Sequence, residues 1–230
     1  MHNQTLNSEP IQNPYVGPRP FTRDDHTLFF GRDREIKELS ALVGAYSTVL
    51  LYAQSGTGKS SLINAGLIPA LESEESEVLP PTRVGVKSNR VALADIENIY
   101  VFNAITGLAQ HEDPAALTQT TLATYLRSLP RGVDEFDIIL PRVIIFDQFE
   151  ELFTSFPERW QDRRIFFDGL RYALEEDPHL SIVFSMRADY VSEVERYQDM
   201  LPGRLQTRFF LEGLNQDTAL LAVTRPLEKT

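Results

Sequence analysis

The sequence predicts a three-layer α/β/α domain, a parallel sheet of about five strands with helices on both faces. Three stretches predict it. The apolar run Val49-Leu50-Leu51-Tyr52 is long enough for one buried strand, and it passes through small residues into Leu62, Ile63, Ala65, Leu67 and Ile68, which suit a helix packed on a sheet. Val143-Ile144-Ile145-Phe146 is a second such run, ending in Asp147. The run from Leu180 to Met186 is a third, ending in Arg187. Near-continuous apolar runs alternating with helical patterns describe strands buried on both faces of a parallel sheet.

In chain order, residues 1–12 are polar and are expected to form a disordered tail, leaving 13–230 as one domain. Asn13-Pro14-Tyr15-Val16-Gly17-Pro18-Arg19-Pro20-Phe21 is held to an extended, turning path by its prolines and glycine. Asp24 and Asp25 suit the cap of a short turn leading to Phe29-Phe30-Gly31-Arg32. From Asp33 the apolar positions Ile36, Leu39, Leu42 and Val43 share one helix face, and Gly44 is expected to close that helix. Two readings of Phe29-Phe30-Gly31-Arg32 stand side by side: a hydrophobic staple before that helix, or a clamp on a base and phosphate.

Pro69 is expected to kink or end the next helix near Ile68, because proline lacks the N–H and crowds the preceding turn. The acidic run 72–77 reads as a solvated loop. A strand is expected over 82–87, an apolar segment of mixed period over 96–108, and a helix over 118–129, broken by Pro130-Arg131-Gly132. Residues 160–176 form an amphipathic helix stopped at Asp177-Pro178, and 191–201 another. A short strand over 208–211 and a final helix from Asn215 to about Val223, running on to Arg225-Pro226, complete the chain. The phosphate-side, acidic and arginine strands are expected in the middle of the sheet.

The chemistry is concentrated at strand ends. Ala53-Gln54-Ser55-Gly56-Thr57-Gly58-Lys59-Ser60-Ser61 fits a phosphate-binding loop, strand before and helix after. Small residues let successive N–H groups turn inward on a phosphate chain, and the helix start adds its own unpaired N–H groups. Lys59 is then placed to reach the outer phosphates and the Ser60 hydroxyl to ligate Mg²⁺. The motif wants glycine where this chain has Ala53, and alanine resists positive φ. Asp147, at the C-terminal end of its strand, is placed to hold Mg²⁺ beside Ser60. Glu150 or Glu151 is the candidate to orient or deprotonate an attacking water, with neither preferred. Arg187 is a candidate reporter of a γ-phosphate, or the partner of Asp189 or Asp147. An acidic side chain after the second strand favours the ATPase (ASCE/AAA+-like) branch of P-loop NTPases, and there is no Asn-Lys-x-Asp signature for guanine.

Composition narrows the partners. A net charge of -11 argues against a nucleic-acid backbone as partner of the whole domain. The chain has no cysteine, which excludes disulfides and thiolate metal sites, and its four histidines are scattered without ligand-like spacing. No apolar run approaches the roughly 20 residues of a membrane helix, and the N-terminus has no signal-peptide pattern. A cytoplasmic protein is expected.

With those residues in place, the chain resembles the nucleotide-binding domain of STAND-class signalling ATPases, in the novel STAND branch that often precedes WD-repeat or tetratricopeptide arrays. The resemblance is carried by the segment 13–21, by Phe29-Phe30-Gly31-Arg32-Asp33-Arg34-Glu35-Ile36, by the phosphate loop with Ala65-Gly66-Leu67-Ile68-Pro69-Ala70-Leu71, by Phe146-Asp147-Gln148-Phe149-Glu150-Glu151-Leu152-Phe153, and by Met186-Arg187-Ala188-Asp189-Tyr190. It implies ATP or ADP with Mg²⁺ as ligands, Phe30, Gly31 and Arg32 near adenine and ribose, Arg187 as sensor, and Pro226 at the nucleotide from the C-terminal side. It further implies helical, winged-helix and sensor regions beyond this stretch. The function so implied is an ATP-dependent switch that controls self-association and signalling, in bacterial stress or anti-phage defence, through an effector the sequence does not name. Two other readings are a nucleotide-binding interaction module with negligible hydrolysis and a DNA-handling AAA+-like ATPase.

Overall fold

In the computed structural model, which describes residues 15–86 and 90–229, five strands form one parallel sheet. They are β1 (Thr48–Ala53), β2 (Glu77–Val78), β3 (Arg142–Phe146), β4 (Leu180–Arg187) and β5 (Arg208–Phe210), in the order β2-β3-β4-β1-β5. The three strands read from the sequence as central are central. β4 lies between β1 and β3, with Ala53 paired to Arg187 and Phe146 to Phe184. Their C-terminal ends therefore open on one edge, where ligands bind in such sheets.

Alternation along the strands sorts two cores. Val49, Leu51, Ala53, Val143, Ile145 and Val183 face one way and pack with Leu39 and Val43 of α1 (Asp33–Ala45). The same core takes Leu62, Ile63, Leu67, Ile68 and Leu71 of α2, built from the consecutive pieces Lys59–Ser61, Leu62–Leu67 and Ile68–Ser73. Leu50, Ile144, Phe146, Ile182 and Phe184 face the other way. They meet α3 (Ile99–Leu108), α4 (Leu122–Ser128) and, after the short α5 (Glu151–Thr154), α6 (Asp162–Glu176). This is the expected three-layer arrangement, with apolar side chains buried on both faces of the sheet. Phe149 joins the second core, its ring 4.7 Å from that of Phe184 and 5.8 Å from that of Phe146.

Several expectations change in detail. Pro69 does not end its helix. The turn before it, Leu62–Leu67, is π-helical, with the Ile68 N–H donating to the Ile63 carbonyl, and this wider turn accommodates the ring so that the helix runs on to Ser73. Gly44 lies within the last turn of α1, which closes one residue later. The strand expected over 82–87 is displaced. Its pairing is a single bridge from Thr82 to Phe146, while the edge strand is β2, formed by the end of the acidic run taken for a loop. Burial explains the shift, because Glu77 answers Arg142, which is 1% exposed at the start of β3. Arg142 Nε donates to Glu77 at 2.9 Å, and other guanidinium N–H groups donate to the carbonyls of Leu126 and Pro130. The helix expected over 118–129 starts at Leu122 because Thr121 caps it, accepting the Thr124 N–H at 3.2 Å. The mixed-period segment is the helix α3, buried nearly all round, which erases its period. The helix expected over 191–201 is broken into α7 (Val191–Glu195) and a 3₁₀ turn, Gln198–Met200. The tail expected over 1–12 lies outside the described residues.

The last helix, α8 (Gln216–Thr224), is capped by Asn215, whose side chain accepts the Thr218 N–H. It docks on Gly31, where φ is 84° and an added Cβ would stand 2.4 Å from the Thr218 carbonyl oxygen. No described helix is long and apolar enough to cross a membrane.

Two predictions follow from this packing. Arg142→Ala strands a carboxylate and two carbonyls around a void and should cost about 3 kcal/mol, read from urea unfolding. Gly31→Ala should both strain the backbone and push α8 away, destabilising by more than about 1 kcal/mol. Hydrogen exchange should then speed up in 216–224 ahead of the sheet.

Candidate functional site

The loop after β1 is shaped by its glycines. Gly56 and Gly58 take φ of 79° and 97°, conformations open to glycine at no cost, and between them Thr57 folds back with its hydroxyl 2.7 Å from the Gln54 carbonyl. α2 begins directly after Gly58, so its first N–H groups face the concave side of the loop. Ala53 is absent from the residues with positive φ. It ends β1 in ordinary strand pairing with Arg187, so the departure from glycine there carries no strain. Lys59 folds back over the loop, its Nζ 3.4 Å from the carbonyls of Ala53 and Gln54. Burial lowers the Lys59 pKa, and the nearby carboxylates of Glu150 and Asp147 oppose that shift.

Across from the loop, Asp147 is fixed from three directions. Its Oδ2 accepts the Ser60 hydroxyl at 2.6 Å, and its Oδ1 accepts the Ser185 hydroxyl at 2.8 Å and the Gln148 N–H at 2.9 Å. Gln148 takes a left-handed φ of 53°, which swings the chain round so that the Phe149 N–H reaches the Ser185 carbonyl at 2.8 Å. With Phe149 anchored below, the two glutamates diverge. Glu150 turns to the cleft, where its Oε2 accepts the Arg187 N–H at 3.2 Å. Glu151 turns away, paired with the Arg83 guanidinium and accepting the Gly85 N–H at 3.1 Å.

The Arg187 guanidinium pairs with Asp189 and lies 5.6 Å from the Tyr190 ring centroid. Its Nε is buried and has no hydrogen-bond partner among the described residues. A donor left in this state beside a polar cleft is a place for a ligand oxygen.

These groups converge. Ser55, Gly56, Gly58, Lys59, Ser60, Ser61, Asp147, Gln148, Glu150 and Arg187 line one cleft of about 520 Å³ at the open edge of the sheet. A smaller hollow of about 210 Å³ shares Gly58 and Ser61 with it and is lined by Phe21, Leu28, Phe29, Phe30, Arg32, Thr57, Leu214 and Ala222. Apolar side chains dominate the second, charged ones the first, the division a base-plus-phosphates ligand requires. Arg32 is only 5% exposed and braces the loop, donating to Glu35 at 2.7 Å and to the Thr57 carbonyl at 3.3 Å. Gly31 carries the contact with α8. Pro226 is buried in the turn Arg225–Glu228 and lines neither cavity. Ser60 and Asp147 offer hard oxygen ligands of the kind a divalent cation takes. Among the described residues no cluster of three or more His, Cys, Asp or Glu could hold a metal. The residues present therefore fit an Mg²⁺ that completes its coordination with phosphate oxygens and water.

Sequence reasoning missed Ser185, a wholly buried hydroxyl in a largely apolar strand, and its place two residues before Arg187 at the strand's C-terminal end was its signal. It also missed the lining role of Pro18, Arg19 and Pro20.

The fold is shared with the Walker-type ATPase PABY2304 of Pyrococcus abyssi, with a TM-score of 0.59 and 16% identity over 92% of this chain. The chain spans 61% of that protein's length. The ORC2 protein of Aeropyrum pernix, in its ADPNP–ADP complexes, aligns with a TM-score of 0.43 and 15% identity over 80% of this chain and 47% of that one. No curated protein matches. The family model described as Novel STAND NTPase 1 matches residues 14–230, taking in the phosphate loop, the acidic strand and the arginine strand. The chain belongs to the novel STAND NTPase 1 family, and it is a nucleotide-binding P-loop NTPase domain.

Proposed function

We propose that this domain is an ATP-driven switch: it binds ATP with Mg²⁺, hydrolyses it slowly, and by doing so governs self-association and signalling of a larger cytoplasmic protein, in bacterial stress or anti-phage defence. The observation that carries the chemistry is the convergence of Lys59, Ser60, Asp147, Glu150 and Arg187 on one cleft. The family supports the switch.

The roles follow from placement. The N–H groups of residues 55–61 and the Lys59 ammonium hold the β- and γ-phosphates. Ser60 and Asp147 would hold Mg²⁺, which would offset phosphate charge. Glu150 faces the cleft and is the base that orients a water toward the γ-phosphate. Glu151 is occupied with Arg83 and Gly85 and positions that segment instead. Arg187, with its unpartnered Nε, reports the γ-phosphate.

Switching needs a mobile element that feels occupancy. Leu214 and Ala222 line the hollow beside the loop, and α8 rests on Gly31. Moving a two-state equilibrium from 1:99 to 99:1 takes about 5.5 kcal/mol of differential binding. Two or three charge-assisted hydrogen bonds to a γ-phosphate, at roughly 1.5–3 kcal/mol each, are of that size.

Lys59→Ala should weaken ATP binding at least about tenfold by calorimetry, and undiminished affinity would remove the site assignment. Glu150→Gln should keep ATP binding and lower turnover by about 10²–10⁴-fold, while Glu151→Gln stays within a few-fold of the parent. The reverse ranking would transfer the role to Glu151. If the parent itself turns over no faster than Glu150→Gln, the domain binds nucleotide without hydrolysing it. Chelation of Mg²⁺ should abolish turnover, and added Mg²⁺ should restore it.

A further inference from the structure

We propose that Arg19, carried on a segment that lines the cleft, is a ligand of the terminal phosphate and makes the site prefer a nucleoside triphosphate over a diphosphate. This rests on the nucleotide-binding reading above.

Arg19 lines the same cleft as Lys59, Ser60 and Arg187, between Pro18 and Pro20, whose rings fix φ on both sides of it. Both ends of the segment are fastened. Tyr15 Oη donates to the Val223 carbonyl of α8 at 2.9 Å. At the other end the Phe21 N–H donates to Ser61 Oγ at 3.1 Å, Asn64 Nδ2 donates to the Phe21 carbonyl at 3.2 Å, and the Phe21 ring stands edge-on to Phe29 at 5.2 Å. The segment is thus tied to the helix that follows the phosphate loop, and Arg19 lines the cleft together with residues of that loop.

Arg19 is also oriented. Nη1 and Nη2 donate to the two oxygens of Asp25 at 2.7 and 3.1 Å, and Nη1 donates to the Pro20 carbonyl at 3.1 Å. Asp25 is itself fixed, since its Oδ2 accepts the N–H and the hydroxyl of Thr22, each at 2.7 Å. The Arg19 guanidinium and these two donors hold the Asp25 carboxyl well below the usual carboxylate range. A guanidinium has five N–H groups. Three are used here, and the Nε–H and the second Nη2–H have no partner among the described residues. The side chain is half exposed and lines the cleft. A planar cation pre-set by a bidentate carboxylate, with two donors left, is suited to a phosphate oxygen. Asp25 is a positioning residue in this arrangement.

The test is calorimetric titration of ATP and ADP, each with Mg²⁺, into the parent chain, Arg19→Gln and Lys59→Ala. Arg19→Gln should weaken ATP about tenfold or more and ADP only a few-fold, collapsing the preference between them. Equal loss for both nucleotides with a lowered melting temperature would make Arg19 a fastener of the segment and overturn the proposal, as would no loss at all. Lys59→Ala separates the two levels. If it binds ATP as the parent does, the nucleotide reading itself fails. If it does not, a null result at Arg19 counts against Arg19 alone. A second measurement needs no variant: in the parent chain, ATP should shield Arg19 from phenylglyoxal, read by peptide mass, more than ADP does. Equal labelling would overturn the proposal.

Discussion

The site depends on one carboxylate. Asp147 leaves the end of β3 and accepts a hydroxyl from α2 through Ser60 and another from β4 through Ser185. That single group joins the start of the phosphate-loop helix to the two strands beside it. Asp147 is partly buried, so a carboxylate that loses these donors is left less well compensated than it would be in open water. The apolar strands supply the rigidity. Val143–Phe146 and Leu180–Met186 are buried on both faces, so the ends that carry Asp147 and Arg187 have little freedom to drift.

Divergence of the two glutamates follows from the same anchoring. A left-handed residue and a buried ring come between Asp147 and Glu150, and together they set which carboxylate looks into the cleft. Adjacent residues on a turn cannot share a direction. Once Phe149 occupies the core, one glutamate must face the phosphate loop and the other the far side, where Arg83 receives it.

The central strands and the phosphate loop were legible in the sequence because they depend on local properties: runs of β-formers, small residues in a tight turn, an acid or a base at a strand end. Legibility fails where the outcome depends on partners distant in the chain. The choice of Glu77 over Thr82 for the edge strand turns on the buried guanidinium of Arg142, more than sixty positions away. Pro69 was expected to kink or end its helix, and the widened turn that lets the helix run on is not written in any single residue. Glu150 and Glu151 were indistinguishable until the left-handed Gln148 and the buried Phe149 were known. In the other direction, Ser185 was visible as a hydroxyl near the C-terminal end of a largely apolar strand.

Both edges of the sheet are short. β2 has 2 residues and β5 has 3, and the middle residue of β5 is the only one of its three that is buried. An edge of two or three residues offers too few unpaired N–H and C=O groups to template a strand from another chain. Among the described residues the sheet thus offers little edge for another copy to extend, and the self-association proposed above would run through side chains of helices and loops. An assembly of that kind can be made and unmade by small rotations of a helix, without breaking a backbone ladder.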